Sequence, residues 1–356
     1  MGLSVKKAAP LKNKKDGTPI LIAGPCGVES RSQVMDTARE LAKYPVDILR
    51  GGVWKPRTRP DAFEGVGGRG LAWLKRAGEE VGLPVATEVA TPNHVEMCLS
   101  HEIDALWIGA RTTSNPFSVQ AIADALKGAD VAVMVKNPVS PDIGLWIGAF
   151  ERLNKAGIKK LAAIHRGFNV GGGGGFRNQP VWRIPIELKR KAPKLPLICD
   201  PSHICGSRRL IKRVAQEALD LMFDGLMIES HVNPDKALSD SAQQLPPSAY
   251  GKLIASLEPK RESVDDAAFQ RELSVLREKI DDIDDRLVHL LGERMRVVEE
   301  IGDRKKRTKV SVFQPSRWEE ILQNRVLQGK KEGLSEDFMT KIYQLVHEEA
   351  VRHQEK

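Results

Sequence analysis

The chain has 356 residues and a formal net charge of +8, room for one large domain of ~250 residues with a smaller companion. Hydrophobic residues at 41% and charged residues at 29% fit a globular protein and exclude a disordered one, and no apolar run approaches the ~18 residues of a membrane span. The charge is one-sided: Asp265 to Lys356 holds 18 basic and 20 acidic residues, which leaves +10 for the first 264. Aromatic residues are not interleaved with the basic clusters as stacking platforms for bases would be, so small anions are expected partners rather than nucleic acid.

Residues 1–17 are lysine-rich but lack the apolar core and small-residue cleavage site of a signal peptide, which predicts a cytoplasmic protein. Its four cysteines are too few and too scattered for a disulfide framework; Cys98, Cys199 and Cys205 are expected to serve packing alone. From Pro19 to His231 eight short apolar runs recur: Ile20–Ala23, Ile48–Leu49, Val85–Ala86, Ala105–Ile108, Val131–Val135, Leu161–Ile164, Leu195–Ile198 and Leu226–Ile228. Each is followed by a polar or Gly-rich stretch and a helix-like segment. Continuous rather than alternating apolar strands are buried on both faces, and eight such units describe a (β/α)8 barrel. An open doubly wound sheet is the competitor, but the first strand leads into Gly24-Pro25-Cys26-Gly27, not a G-x-G-x-x-G turn. The Gly171–Gly175 run reads as a mobile loop at the barrel mouth.

A polar stretch after Pro246-Pro247 marks a boundary near residue 260. Beyond it Leu273, Leu276, Ile280, Ile283, Leu287, Leu290, Leu291, Met295, Val298 and Ile301 recur at helical spacing over about 30 residues. Shorter helices are expected at Arg317–Gln328 and Glu336–Gln354, giving an all-α three-helix unit that completes its core by dimerising. The chain thus divides into a basic segment (1–17), a barrel (18–257), a linker (258–266) and a helical domain (267–356).

The strand ends crowd chemistry onto one rim, where the active sites of barrels sit. Cys26, His203, Glu229 and Asp240 combine one soft, one borderline and two hard donors, a mix suited to Mn, Fe, Co or Zn with room for a substrate oxygen. Singly, such a cysteine packs as a small hydrophobe and such a histidine as a satisfied core group; together on one rim they read as a metal site. Arg50, Lys55, Arg57, Arg111, Lys136 and Arg166 are six cations on the same rim, more than one phosphate needs, which implies two anionic substrates. Neighbouring cations are expected to lower the pKa of Lys55, leaving it either a proton carrier or a binder of charge.

Across residues 18–255 the sequence resembles the 3-deoxy-D-arabino-heptulosonate 7-phosphate (DAHP) synthases. The motifs are Ala23-Gly-Pro-Cys26, Arg50-Gly-Gly-Val-Trp-Lys-Pro-Arg57-Thr58, Ile108-Gly-Ala-Arg111, Val135-Lys136-Asn137, Ile164-His-Arg166-Gly, Asp200-Pro-Ser-His203, Leu226-Met-Ile-Glu229-Ser-His231 and Ser239-Asp240. The resemblance implies condensation of phosphoenolpyruvate with erythrose 4-phosphate on a divalent-metal-dependent barrel, with no organic cofactor. It assigns the metal to Cys26, His203, Glu229 and Asp240. Phosphoenolpyruvate falls to Arg50, Lys55, Glu88, Arg111, Lys136 and Arg166, and erythrose 4-phosphate to Arg57 and Thr58. The related octulosonate 8-phosphate synthases lack Lys-Pro-Arg-Thr. Relatives often carry an extra N-terminal regulatory domain; this chain starts almost directly at its first strand, so none is expected.

On the long helix Arg294 and Lys305 are 11 residues apart, within ~20° of one face, whereas Arg277 lies about 100° away. Residues 270–356 resemble the all-helical chorismate mutases through Leu276-Arg277-Glu-Lys-Ile280, Ile283-Asp284, Leu290-Leu291, Glu293-Arg294 and Lys305, with Arg317, Gln344 and Gln354 on the later helices. The resemblance implies an intertwined homodimer in which Arg277 reaches the partner's site. Chorismate then rearranges to prephenate, clamped by Arg277, Arg294 and Arg317, with Lys305 and Gln354 on the ether oxygen. Gln314, Trp318 and Ala350 depart from the commonest pattern. These departures leave open altered recognition of the substrate hydroxyl, and a helical domain that is mainly a dimerising, ligand-sensing module. Prephenate or chorismate bound there is expected to inhibit the barrel.

Overall fold

A computed structural model describes residues 18–56, 61–171, 175–260 and 266–355. Arg57 and Thr58, the basic N-terminal segment and most of the Gly171–Gly175 run lie outside the described residues. The chain forms two compact units, Met1–Glu262 and Ser263–Lys356.

In the first unit eight parallel strands close into a barrel: β1 (Ile20–Gly24), β2 (Ile48–Arg50), β3 (Val85–Val89), β4 (Ala105–Ile108), β5 (Ala132–Lys136), β6 (Leu161–His165), β7 (Leu197–Cys199) and β8 (Gly225–Glu229). Each pairs with its sequence neighbour, and β8 closes on β1 with Ile22 opposite Met227 and Gly24 opposite Glu229. β7 starts at Leu197, not Leu195, because Pro196 has no N–H for a ladder. Polar caps start several of the intervening helices: Ser30, Thr91 and Asp142 each accept a backbone N–H of the first turn with a side-chain oxygen.

Successive strand residues face opposite sides of the sheet, and the buried apolar residues accordingly fall into two layers. Ile20, Ile22, Ile48, Ala86, Ala105, Trp107, Ala132, Met134, Ala162, Ile164, Ile198 and Met227 form one cluster, the barrel interior. Leu21, Ala23, Leu49, Val85, Leu106, Val133, Ala163 and Leu226 belong to the other, against the helices. Extending the interior set by one step of two past Ile48, Ala86, Met134, Ile164, Ile198 and Met227 gives Arg50, Glu88, Lys136, Arg166, Asp200 and Glu229. The barrel interior thus changes from apolar to charged within one layer at the strands' C-terminal ends. Gly24 is needed at that level: at φ +151° its backbone lies so close to β2 that a Cβ would stand 2.0 Å from Arg50 O.

The second unit holds a long helix (Ala267–Thr308), a second (Pro315–Lys331) and a third (Glu336–Glu355). The first runs 42 residues, beyond the expected 30, capped by Asp266 and stopped by Lys309 in the left-handed region. The third helix packs against both others. Gly302 permits the approach to the long helix, since a Cβ there would lie 2.9 Å from Gln354 Cα. Among the described residues no helix is long and apolar enough to cross a membrane.

Candidate active site

The charged layer of the barrel floors a cavity of about 480 Å³ lined by Lys55, Glu88, Arg111, Lys136, Arg166, Arg177, Asn178, His203 and Asp240, among others. Cys26, Arg50 and Glu229 lie beneath, fully buried. Donor atoms of Cys26, Glu229 and Asp240 fall within 4.8 Å of one another. Cys26 Sγ is 3.2 Å from Asp240 Oδ2, and Glu229 Oε1 accepts no hydrogen bond although Arg50 Nη1 stands 3.3 Å away. One thiol and two carboxylates around such an oxygen suit a divalent cation.

His203, the fourth expected donor, stands beside this group rather than inside it. Asp200 caps the short helix Pro201–Cys205 by accepting the His203 N–H at 3.1 Å, and its Oδ2 lies 2.8 Å from His203 Nδ1. That leaves Nε2 facing Glu229 Oε1 at 3.7 Å, the orientation a carboxylate gives a metal-binding imidazole. Burial lowers the His203 pKa, which keeps the ring in its ligating form.

Electrostatics hold the carboxylates ionised. Burial is the largest influence and raises Glu229 and Asp240, but the opposing charges together outweigh it, His203 when protonated with Arg50 and Lys55 at Glu229 and with Arg177 and Lys55 at Asp240, and the net shift is downward. Cys26 is pushed up to about 12 by burial and then by Glu229. Lys55 overturns an expectation. Its Nζ donates to Cys26 Sγ at 2.9 Å and Cys26 O at 3.1 Å. Burial pulls its pKa down, but Cys26, Glu229 and Glu88 pull harder, and the net shift is upward, not toward neutrality. The anionic neighbours were not foreseeable from the cations flanking Lys55 in sequence.

The remaining cations are held in fixed positions. The Arg50 guanidinium sits 4.7 Å over the Trp107 ring and donates to Cys26 O. Trp107 Nε1 donates to Glu88 Oε2 at 2.8 Å. Lys136 Nζ donates to Asp200 Oδ2 at 2.8 Å. Arg166 Nη1 donates to Asn178 Oδ1 at 2.8 Å, and burial lowers its pKa to about 10, which leaves it charged at neutral pH. Arg111 is exposed and reaches Pro56 O. The sequence reading passed over Asp200 as a functional group, although the interior step of two from Ile198 marks it. It also missed Arg177 and Gln243, which lie in loops where no periodicity applies.

In the helical unit Arg294 and Gln354 are half-buried, and Arg294 Nη1 and Gln354 Oε1 are buried without a hydrogen-bond partner. Lys305 Nζ donates to Val312 O at 2.7 Å, Arg317 pairs with Glu320 on the surface, and Arg277 is exposed. Trp318 stacks on His347 at 4.2 Å, which accounts for an aromatic ring at that position. A groove of about 440 Å³ beside Leu291, Met295 and Leu345 contains none of the five expected mutase residues.

Residues 4–264 match the family model of the DAHP synthetase I family, and residues 276–355 match that of chorismate mutase type II. A phospho-2-dehydro-3-deoxyheptonate aldolase from Thermotoga maritima is 32% identical over 237 residues, 67% of this chain and 68% of the relative. A 2-dehydro-3-deoxyphosphooctonate aldolase from Nitratidesulfovibrio vulgaris is 27% identical over 261 residues, covering 67% of this chain and 90% of the relative. A crystal structure of the Thermotoga maritima DAHP synthase superposes with a TM-score of 0.61 at 30% identity, covering 67% of this chain and 68% of that one. A truncated form of that synthase gives 0.59 at 28% identity, over 67% and 85%. The chain belongs to the DAHP synthetase I family and carries a type II chorismate mutase domain behind its barrel, a bifunctional enzyme of the shikimate pathway.

Proposed function

We propose that the barrel cavity binds phosphoenolpyruvate and erythrose 4-phosphate together and joins them, with water, to DAHP and phosphate. The observation that carries this is the convergence of Lys55, Arg111, Lys136 and Arg166 on one cavity whose floor is the Cys26, Glu229 and Asp240 donor group. Arg50, Arg111, Lys136 and Arg166 hold the phosphate and carboxylate of phosphoenolpyruvate, so that its C3 is aimed at the aldehyde. Lys55, an ammonium at working pH, supplies charge and a proton rather than acting as a base. Arg57 and Thr58 take the aldose phosphate. Cys26, Glu229, Asp240 and His203 are the residues that would hold a divalent cation, Mn, Fe, Co or Zn, and its chemistry there is Lewis-acid polarisation of the aldehyde oxygen.

In the helical unit Arg294, Arg317 and a partner's Arg277 clamp the two carboxylates of chorismate, and Lys305 and Gln354 stabilise the ether oxygen as the C–O bond breaks. The unpartnered Arg294 Nη1 and Gln354 Oε1 support this reading, since buried polar atoms ordinarily have partners. The protein works as a homodimer in the cytoplasm through its long helix, and prephenate or chorismate on the mutase site inhibits the barrel.

Phosphoenolpyruvate consumption is measured with erythrose 4-phosphate or arabinose 5-phosphate, before chelation, after it and after Mn²⁺ is restored. Turnover with erythrose 4-phosphate that chelation abolishes and Mn²⁺ restores is the expected result. Turnover only with arabinose 5-phosphate refutes the substrate assignment, and full activity after verified metal removal refutes the donor group.

A further inference from the structure

We propose that Gln243 and Arg177 form a positioning pair that decides which oxygen of each cation-facing carboxylate stays free. This rests on the metal reading above and goes beyond the donors themselves.

Gln243 is 1% exposed, and both ends of its amide are committed. Its Nε2 donates to Glu229 Oε2 at 2.7 Å, and its Oε1 accepts from Arg177 Nη1 at 3.0 Å. The same Arg177 nitrogen donates to Asp240 Oδ1 at 2.9 Å. Each carboxylate therefore has one oxygen occupied by this pair. The other oxygen is the one turned to the donor group: Asp240 Oδ2 at 3.2 Å from Cys26 Sγ, and Glu229 Oε1 without a hydrogen bond. A carboxylate with both oxygens free can rotate between binding modes; one tied oxygen fixes its orientation before any cation arrives.

An amide meets both demands on residue 243, donating to Glu229 and accepting from Arg177. A glutamate would oppose Glu229 with a second negative charge, and a leucine would leave the buried Glu229 Oε2 without its donor and Arg177 Nη1 with Asp240 as its remaining acceptor. The backbone makes the arrangement local. Asp240 has φ +49°, a region uncommon for a residue with a Cβ, and the Gln243 N–H donates to Asp240 O at 3.2 Å. Donor and orienting amide thus share one tight turn. The next residue ties the third donor to that turn, since Gln244 Oε1 accepts the Cys26 N–H at 2.9 Å and Gln244 Nε2 donates to Ser239 O.

The test is a Co²⁺ titration of the metal-free full chain, followed by thiolate-to-cobalt absorption, for the wild type, Gln243→Leu, Arg177→Met and the double variant. Thermal unfolding of each metal-free protein runs alongside. Each variant is expected to bind Co²⁺ about 10–100-fold more weakly, with the loss in the double variant smaller than the product of the two. A merely structural role would lower the unfolding temperature while folded molecules kept wild-type affinity, and that overturns the proposal. If Gln243→Leu does not fold, Arg177→Met decides, because Arg177 is half exposed: binding within twofold of wild type refutes the pair while the metal reading stands. A wild type that gives no thiolate band refutes both.

Discussion

The His165 imidazole is fully buried on the outer side of β6. The rings of Trp182, Phe168, Phe223 and Trp146 surround it, with centroids 5.2, 5.6, 6.1 and 6.5 Å away. Burial drops its pKa from 6.5 to about 3, so the folded chain keeps it neutral where the unfolded chain takes up a proton. Between those pH values the unfolded state binds more protons, and stability therefore falls as pH drops from about 6.5, by about 1.4 kcal/mol per unit. His165→Phe, an aromatic ring among aromatic rings, is expected to remove this slope: the barrel's Tm then falls less between pH 6.5 and 4.5 than the wild type's. Equal slopes would show that another group governs acid unfolding. At this scale the sequence was most readable where a backbone rule fixes direction. Arg50, Glu88, Lys136, Arg166 and Glu229 follow apolar strand residues in the interior parity, so their convergence could be anticipated. Asp200 obeys the same parity but looked like a turn residue before Pro201. Arg177 and Gln243 come from loops, and nothing in their neighbours' spacing forecasts a contact 66 residues apart in sequence.

For the elements, apolar runs forecast the barrel well because parallel strands buried on both faces leave no polar positions to blur them. The start of β7 moved from Leu195 to Leu197, where Pro196 interrupts the ladder. The long helix was readable as a helix and underestimated in length, since helical periodicity in apolar residues stops before the charged last turns do. Its apolar stripe is the more informative feature. Leu276, Ile280, Ile283, Leu287 and Leu290 are each 52–56% exposed, and along 42 residues only Val298 and Gly302 are buried. Spacings of four, three, four and three residues form a seam fit for another helix, and because each side chain is already close to half covered, burying the rest is worth half of the about 1.5–3 kcal/mol of full burial. A second copy covering this stripe is the proposed dimer. Leu287→Asp, on the exposed seam, is expected to give a monomer by sedimentation with its helical content largely retained, and to depress mutase turnover because Arg277 loses its target. Phosphoenolpyruvate condensation is the internal control. A Leu287→Asp protein that remains a dimer with full mutase activity would place the interface elsewhere.

At the scale of the whole molecule, two chemistries with separate residue sets share one chain. The barrel handles charge by burying it: Arg50, Lys136, Asp200 and Glu229 are all less than 5% exposed. The helical unit leaves Arg277 and Arg317 in solvent and covers Arg294, Lys305 and Gln354 only in part. The mutase residues are therefore the ones a ligand can still order, and ligand-dependent ordering is a physical route by which an end product could act on the first reaction. Coupling between sites is reciprocal in binding free energy, with typical factors of about 5–150. Saturating prephenate is accordingly expected to weaken phosphoenolpyruvate binding by a factor in that range, and phosphoenolpyruvate to weaken prephenate binding by the same factor. Arg294→Ala should abolish both effects and chorismate rearrangement together while leaving uninhibited DAHP formation at its wild-type rate. Prephenate that leaves synthase kinetics unchanged would reduce the fusion to two independent catalysts. Inhibition that survives Arg294→Ala would move the sensor off the mutase site.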